Sequence, residues 1–195
     1  MNILDAQYKS LLFEILTQGV NKSDRTGTGT RSVFGEHIKH DMSDGCPLLT
    51  TKRVAFKTMV TELRWFLKGR TDIKYLQDND CKIWDGDYEK SGNTNGDLGP
   101  IYGAQWRKWQ AFGHTIDQLK ELVQGLKDNP DSRRHLVTAW NPGDLKYVVL
   151  PPCHYAFQCY VADGKLSLSW TQRSIDTALG LPFNIASYGL LLLLL

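Results

Sequence analysis

Tyr155-Ala-Phe-Gln-Cys-Tyr-Val-Ala-Asp-Gly-Lys-Leu-Ser-Leu-Ser-Trp-Thr-Gln172 contains two runs of strand character, 155–162 and 165–172, separated by Asp163-Gly164. Aspartate tolerates left-handed backbone and glycine adopts it without a Cβ clash, so this dipeptide between β-rich runs predicts a tight antiparallel hairpin. Two shorter runs of the same character, 135–140 and 147–150, precede it. Further upstream the period changes. Leu4, Tyr8, Leu11, Leu12, Ile15 and Leu16 recur at helical spacing, with Gly19 placed to end the element. A second helix is expected over 56–67 and a third over 115–127, where Ile116, Leu119, Leu122, Val123 and Leu126 form one stripe ahead of Pro130. Helices followed by a mostly antiparallel run predict an α+β fold, with helices packed on one face of a mixed, mostly antiparallel sheet.

The connecting segments are read from their turn chemistry. Asp24-Arg-Thr-Gly-Thr-Gly-Thr30 is a polar loop leading into a strand expected over 31–42, and Asp44-Gly45 makes the next turn. Residues 85–99 are polar and glycine-bearing, which predicts a surface loop. The chain has 195 residues, 42% of them hydrophobic, enough for one well-buried core, so one domain over 1–195 is expected. Its +2 charge, spread evenly, points to neither nucleic acid nor a membrane surface as principal partner. Cys46, Cys81, Cys153 and Cys159 lack a C-x-x-C pair, so no metal site or disulfide framework is expected, and the start does not read as a secretory signal. Both points assign the protein to the cytoplasm. The final run Leu190 to Leu195 is shorter than the ~20 residues of a membrane helix. It reads as a buried helix cut short, with a C-terminal portion of the domain missing.

Several residues have the chemistry of a site. In Pro151-Pro-Cys-His154 the cysteine follows two residues that cannot donate ladder hydrogen bonds, which suits an exposed, rigid nucleophile; the alternative is a buried structural thiol. Arg173, on the strand returning towards Cys153, is the cation that would favour its thiolate. Glu62 has no basic residue three or four positions away on its helix, so it is either a desolvated proton-transfer group or the edge of a solvated face. Arg25, Arg133, Arg134 and Arg173, the last followed by Ser174, lie in polar contexts that suit a phosphate, although any one arginine alone reads equally as solubilising. No lysine follows the glycines of 24–30, which rules out a nucleoside-triphosphate P-loop. Asn184 offers both a donor and an acceptor, as a uracil edge requires; helix capping is its alternative role.

Taken together, the segments Asp24 to Thr30, Thr50-Thr-Lys-Arg53, Glu62-Leu-Arg-Trp-Phe-Leu67, Ile83-Trp-Asp85, Gly96-Asp-Leu-Gly-Pro-Ile-Tyr-Gly103, Asp131-Ser-Arg-Arg134, Pro152-Cys-His154, Gln172-Arg-Ser174 and Gly180-Leu-Pro-Phe-Asn-Ile-Ala-Ser-Tyr188 resemble the thymidylate synthase family over essentially the whole chain. The resemblance implies methylation of deoxyuridylate to thymidylate, with 5,10-methylenetetrahydrofolate as carbon donor and reductant and no metal. By the same resemblance Cys153 adds to C6 of the uracil, Glu62 organises proton transfer through water, Tyr102 assists removal of the C5 proton, and Asn184 reads the uracil edge. Arg25, Arg173 and Ser174 are implied to hold the phosphate, with Gln172 and Asp176 also on the substrate side, while Arg133 and Arg134 reach across a homodimer to the partner's site. Ile83, Trp84, Asp176, Leu179 and Gly180 are implied to line the folate, and His154 has no assigned covalent role.

The family chain continues past this end, through residues that hold the deoxyribose and a tail that closes over the folate, and Asp87 stands where some members place an aromatic residue. The nearest alternative is a deoxyuridylate hydroxymethylase, in which water and not hydride captures the one-carbon intermediate. A deoxycytidylate-specific relative would carry an acid in place of Asn184. A non-catalytic nucleotide- or RNA-binding protein is the alternative from another class, and Cys153, Glu62 and Tyr102 together argue against it.

Overall fold

The computed structural model describes residues 2–24 and 27–195. Helix α1 (Ile3–Gln18) begins where the Asn2 side chain accepts the Asp5 N–H at 2.7 Å, and Gly19 ends it. Its buried side, Leu4, Tyr8 and Leu11, packs on Leu49, Leu181 and Ile185. A hairpin of β1 (Val20–Lys22) and β2 (Thr30–Ser32) follows. The strand expected over 31–42 does not extend beyond Ser32. Gly35 turns the chain at a φ of 93°, and Lys39 exchanges two backbone hydrogen bonds with the Gln7 side chain, which take the place of a strand partner.

Helix α2 (Phe56–Leu67) has the expected limits and buries Met59, Glu62, Leu63, Trp65 and Phe66. After the short α3 (Ile73–Gln77), part of the expected surface loop is helical, as α4 (Asp85–Ser91). Asp85 and Asp87 in its first turn and Lys90 in its last complement the helix dipole, and Gly92 ends it in the left-handed region. Helix α5 (Tyr102–Lys108) leads into the antiparallel pair β3 (Trp109–Ala111) and β4 (His114–Ile116). That pair takes up Thr115 and Ile116, so α6 (Gln118–Asp128) starts later than its apolar stripe suggested, at the point where Asp117 caps Lys120 N–H.

The distal sheet is antiparallel, in the order β5 (Leu136–Thr138), β6 (His154–Ala162) and β7 (Lys165–Gln172). The β6–β7 turn is the expected one, with Asp163 and Gly164 both at positive φ. Residues 147–150 do not form the expected strand. A single 3₁₀ turn, Leu145–Tyr147, precedes three bend residues, 148–150, where Val149 N donates to Leu98 O, and Pro151 and Pro152 have no N–H donors to build a ladder. Helix α7 (Leu181–Leu194) packs on α2 and β7, while α5 and α6 lie against β5. Within the final leucine run Leu191 is buried, whereas Leu193 and Leu194 are exposed.

The fold is α+β, as the order of elements implied. Its core is aromatic: Trp65, Phe66, Trp84, Tyr102, Trp106, Phe157 and Tyr188 share one cluster with aliphatic residues of α2, α6 and α7. Burying side chains of this size contributes about 1.5–3 kcal/mol each. Phe157 and Cys159 point into this core along β6. A register irregularity between His154 and Ala156 then changes the parity, so His154 is buried where simple alternation would bury Tyr155.

Candidate active site

Cys153 sits between Pro151-Pro152 and the first residue of β6. Its backbone is held from two sides. Its N–H donates to the Tyr102 hydroxyl at 2.8 Å, and its carbonyl accepts the Arg173 N–H at 2.9 Å. The Arg173 guanidinium donates through Nε to Pro152 O at 2.9 Å and through Nη2 to Pro151 O at 2.8 Å. That fork leaves Nη2 3.8 Å from the Cys153 sulfur, a cation placed where it favours a thiolate. The fork geometry suits arginine and not lysine.

Behind the cysteine, Tyr102 is buried and its ring stacks on His154 with centroids 4.1 Å apart. Burial holds its hydroxyl well above the ordinary tyrosine value. Phe66 and Trp84 pack on the same tyrosine. Trp84 Nε1–H donates to Glu62 Oε1 at 2.8 Å. Glu62 is 6% exposed, and burial pushes its carboxyl up to about 7, a rise that the Trp84 hydrogen bond only partly offsets. A buried carboxyl that titrates near neutrality can both accept and return a proton. His154 is buried as well, which pushes its imidazole down to about 3 and keeps it neutral.

Asn184 lies inside α7, its N–H bonded to Gly180 O, so it does not serve as a cap. Its side chain makes no hydrogen bond to the described residues. Gln172, paired with His154 in the sheet register, has a buried Nε2 with no partner among them. Asp176 Oδ1 accepts the N–H groups of Ala178 and Leu179 and shapes the turn into α7. Lys52 bonds to Ala178 O in that turn, and Asp5 accepts from both the N–H and the hydroxyl of Thr50. These bonds hold the Thr50-Thr-Lys-Arg53 segment beside the turn. Ile83 and Leu179 are apolar yet 44% and 72% exposed, and Ser174 is exposed next to Arg173.

The cluster therefore joins Cys153, Tyr102 and Arg173, with Glu62 and Trp84 against the same aromatic wall. Arg133 and Arg134 are exposed on the α6–β5 connection with no hydrogen bond to it. Arg134 instead borders a cavity of about 420 Å³ that Asn129, Ser132 and His135 also line. Arg25 lies outside the described residues. Among the described residues no group of three or more His, Cys, Asp or Glu could hold a metal ion. Sequence reasoning did not find the hydrogen bond between His154 Nδ1 and the Tyr188 hydroxyl, at 2.8 Å. The only signal for it was the four-residue spacing that puts Tyr188 on the same face of α7 as Asn184.

The thymidylate synthase family model matches residues 6–195. The chain belongs to the thymidylate synthase family. Membership makes it an enzyme of nucleotide biosynthesis, and supports methyl transfer to deoxyuridylate with methylenetetrahydrofolate as its broad role. Members are typically dimeric. Among the described residues no helix is long and apolar enough to cross a membrane.

Proposed function

We propose that the protein converts deoxyuridylate to thymidylate through a covalent bond between Cys153 and C6 of the uracil, and releases dihydrofolate. The observation that carries this reading is the pairing of a cation-flanked cysteine with a buried carboxyl that titrates near 7. In the proposed reaction the Cys153 thiolate, stabilised by the Arg173 guanidinium, forms the S–C6 bond while the ring double-bond pair moves to C5. C5 then attacks the one-carbon unit as that carbon's bond to one folate nitrogen breaks. Glu62 takes and returns protons through water at the uracil carbonyl, and Tyr102 assists loss of the C5 proton, which lets tetrahydrofolate leave with the electron pair of its remaining bond to the carbon. A hydride from that tetrahydrofolate then reduces the exocyclic methylene to the methyl group and makes dihydrofolate, while elimination of the thiolate restores the C5–C6 double bond and releases the product.

Asn184, whose amide has no partner among the described residues, fits the donor–acceptor edge of uracil. The buried orphan donor of Gln172 suits an acceptor on the nucleotide. Arg25, Arg173 and Ser174 are proposed to bind the phosphate, with Arg133 and Arg134 supplied by a second subunit and Asp176 beside the nucleotide. That arrangement agrees with the exposure of Arg133 and Arg134, which make no side-chain bond to the Cys153 cluster among the described residues, and with an exposed sheet face that carries Leu136 and Tyr160. The folate is both carbon donor and hydride source. Exposed Ile83 and Leu179, beside Trp84, Gly180 and Asp176, suit its flat ring system. Cytoplasmic residence completes the proposal, supported by a cysteine spacing that suggests no disulfide framework.

The test is product identification by mass spectrometry after incubation with deoxyuridylate and 5,10-methylenetetrahydrofolate. Thymidylate with dihydrofolate is expected. Hydroxymethyldeoxyuridylate with tetrahydrofolate would replace this reading by hydroxymethylation, and absence of both product and Cys153 adduct would overturn the catalytic assignment.

A further inference from the structure

Tyr188 is buried, and three rings fix its orientation. Trp170 stacks parallel to it at 4.9 Å and 2°, Phe157 meets it edge-on at 6.0 Å, and His154 stands perpendicular at 5.4 Å. Its hydroxyl has one hydrogen-bond partner among the described residues, His154 Nδ1 at 2.8 Å. His154 Nε2 has none there. Neutral imidazole carries one N–H, so this single contact decides which nitrogen has it.

The two arrangements differ in satisfied donors. If Nδ1 held the proton, it would donate to the phenol oxygen, and the phenol O–H would be buried with no acceptor. If Nε2 holds it, the phenol O–H donates to Nδ1 and no buried donor is lost. An unsatisfied buried donor is costly, and a phenol O–H is a better donor to an imidazole nitrogen than the reverse. We infer that Tyr188 is a positioning residue that locks His154 in the Nε2–H tautomer, so that the residue next to Cys153 offers a hydrogen-bond donor to an acceptor supplied by bound nucleotide or its water. The parallel Trp170 ring and the register irregularity that buries His154 hold the pair in place. Tyr188 thus acts through His154, without touching the substrate. The donor's use in turnover rests on the deoxyuridylate reading, whereas the tautomer itself does not.

The test combines ¹⁵N NMR of histidine-labelled protein with kinetics of Tyr188→Phe. In the wild-type protein His154 is expected to show a protonated Nε2 and an unprotonated Nδ1, and in Tyr188→Phe this single state is replaced by the Nδ1–H form or a mixture. With deoxyuridylate as substrate, kcat falls about tenfold while KM stays within about twofold, the split of a group acting after binding. In a His154→Gln background the same tyrosine change costs less than about twofold, because its route of action is gone. A wild-type spectrum with Nδ1 protonated overturns the inference, as does an unchanged tautomer in the variant or an equal kinetic cost in the glutamine background. If the wild-type protein does not turn over deoxyuridylate, the two spectra decide the question alone.

Discussion

Replacing Glu62 by glutamine is expected to stabilise the protein while removing its activity, with a gain that depends on pH. Glutamine keeps an oxygen to accept the Trp84 N–H, which donates to Glu62 at 2.8 Å, and removes the ionisable group. Burial raises the Glu62 carboxyl from 4.5 to about 7. Below pH 4.5 both folded and unfolded chains carry the protonated acid, so its ionisation costs folding nothing. As pH rises, the unfolded chain ionises first, and a folding penalty accumulates until the folded form also ionises near 7. One pKa unit corresponds to about 1.4 kcal/mol, so the penalty is about 1 kcal/mol at pH 5 and about 3 kcal/mol at pH 8. Urea denaturation of the wild-type and Glu62→Gln proteins at these two pH values reads the difference directly. An equal stability difference at both, or a variant less stable at pH 8, would refute the assignment of Glu62 as a desolvated carboxyl.

Trp84→Phe removes the hydrogen bond that lowers the Glu62 carboxyl, so the limb of the kcat/KM profile near pH 7 is expected to move up by about half to one unit; an unmoved limb would separate that limb from Glu62. At Gly103 a Cβ would lie 2.6 Å from Phe66 O and 2.8 Å from Phe66 Cα. Gly103→Ala should therefore push α5 from α2, cost about 1–3 kcal/mol in thermal or urea unfolding and displace Tyr102 from Cys153; wild-type stability would show that the two helices can part freely. Arg173→Lys cannot reproduce the fork on Pro151 O and Pro152 O, so covalent nucleotide adduct, followed by mass spectrometry, should form at least about tenfold more slowly. An unchanged rate would limit Arg173 to bulk charge.

Legibility from the sequence followed the range of the interactions concerned. Helix α2 matched its expected limits, and the β6–β7 hairpin did so except that β6 starts one residue earlier, at His154, because a dense apolar segment and an Asp-Gly turn are local signals. The expected strands over 31–42 and 147–150 failed because backbone partners decide a strand. Lys39 is paired with the Gln7 side chain, and among the described residues Val149 has one backbone hydrogen bond, to Leu98. Helix α4 was read as a loop because Gly86, Ser91 and the capping Gly92 masked favourable charges at its ends.

The residue types of the site were legible in the same local way. Two prolines before Cys153 marked a rigid position, and the lack of a basic neighbour around Glu62 pointed to the desolvation that its burial produces. What those residues do to one another was settled by distant contacts. Trp84 meets Glu62 across 22 positions, Tyr102 meets Cys153 across 51, and His154 meets Tyr188 across 34. By itself the sequence determined the α+β class, the main helices, the hairpin and which side chains could carry chemistry, since period, turn residues and functional groups are properties of neighbours. The tertiary structure decided between the open readings of the Glu62 carboxyl, fixed the distance from the Arg173 cation to the sulfur and supplied the hydroxyl that bonds His154, because desolvation and hydrogen-bond geometry depend on which distant segments fill the space around each group.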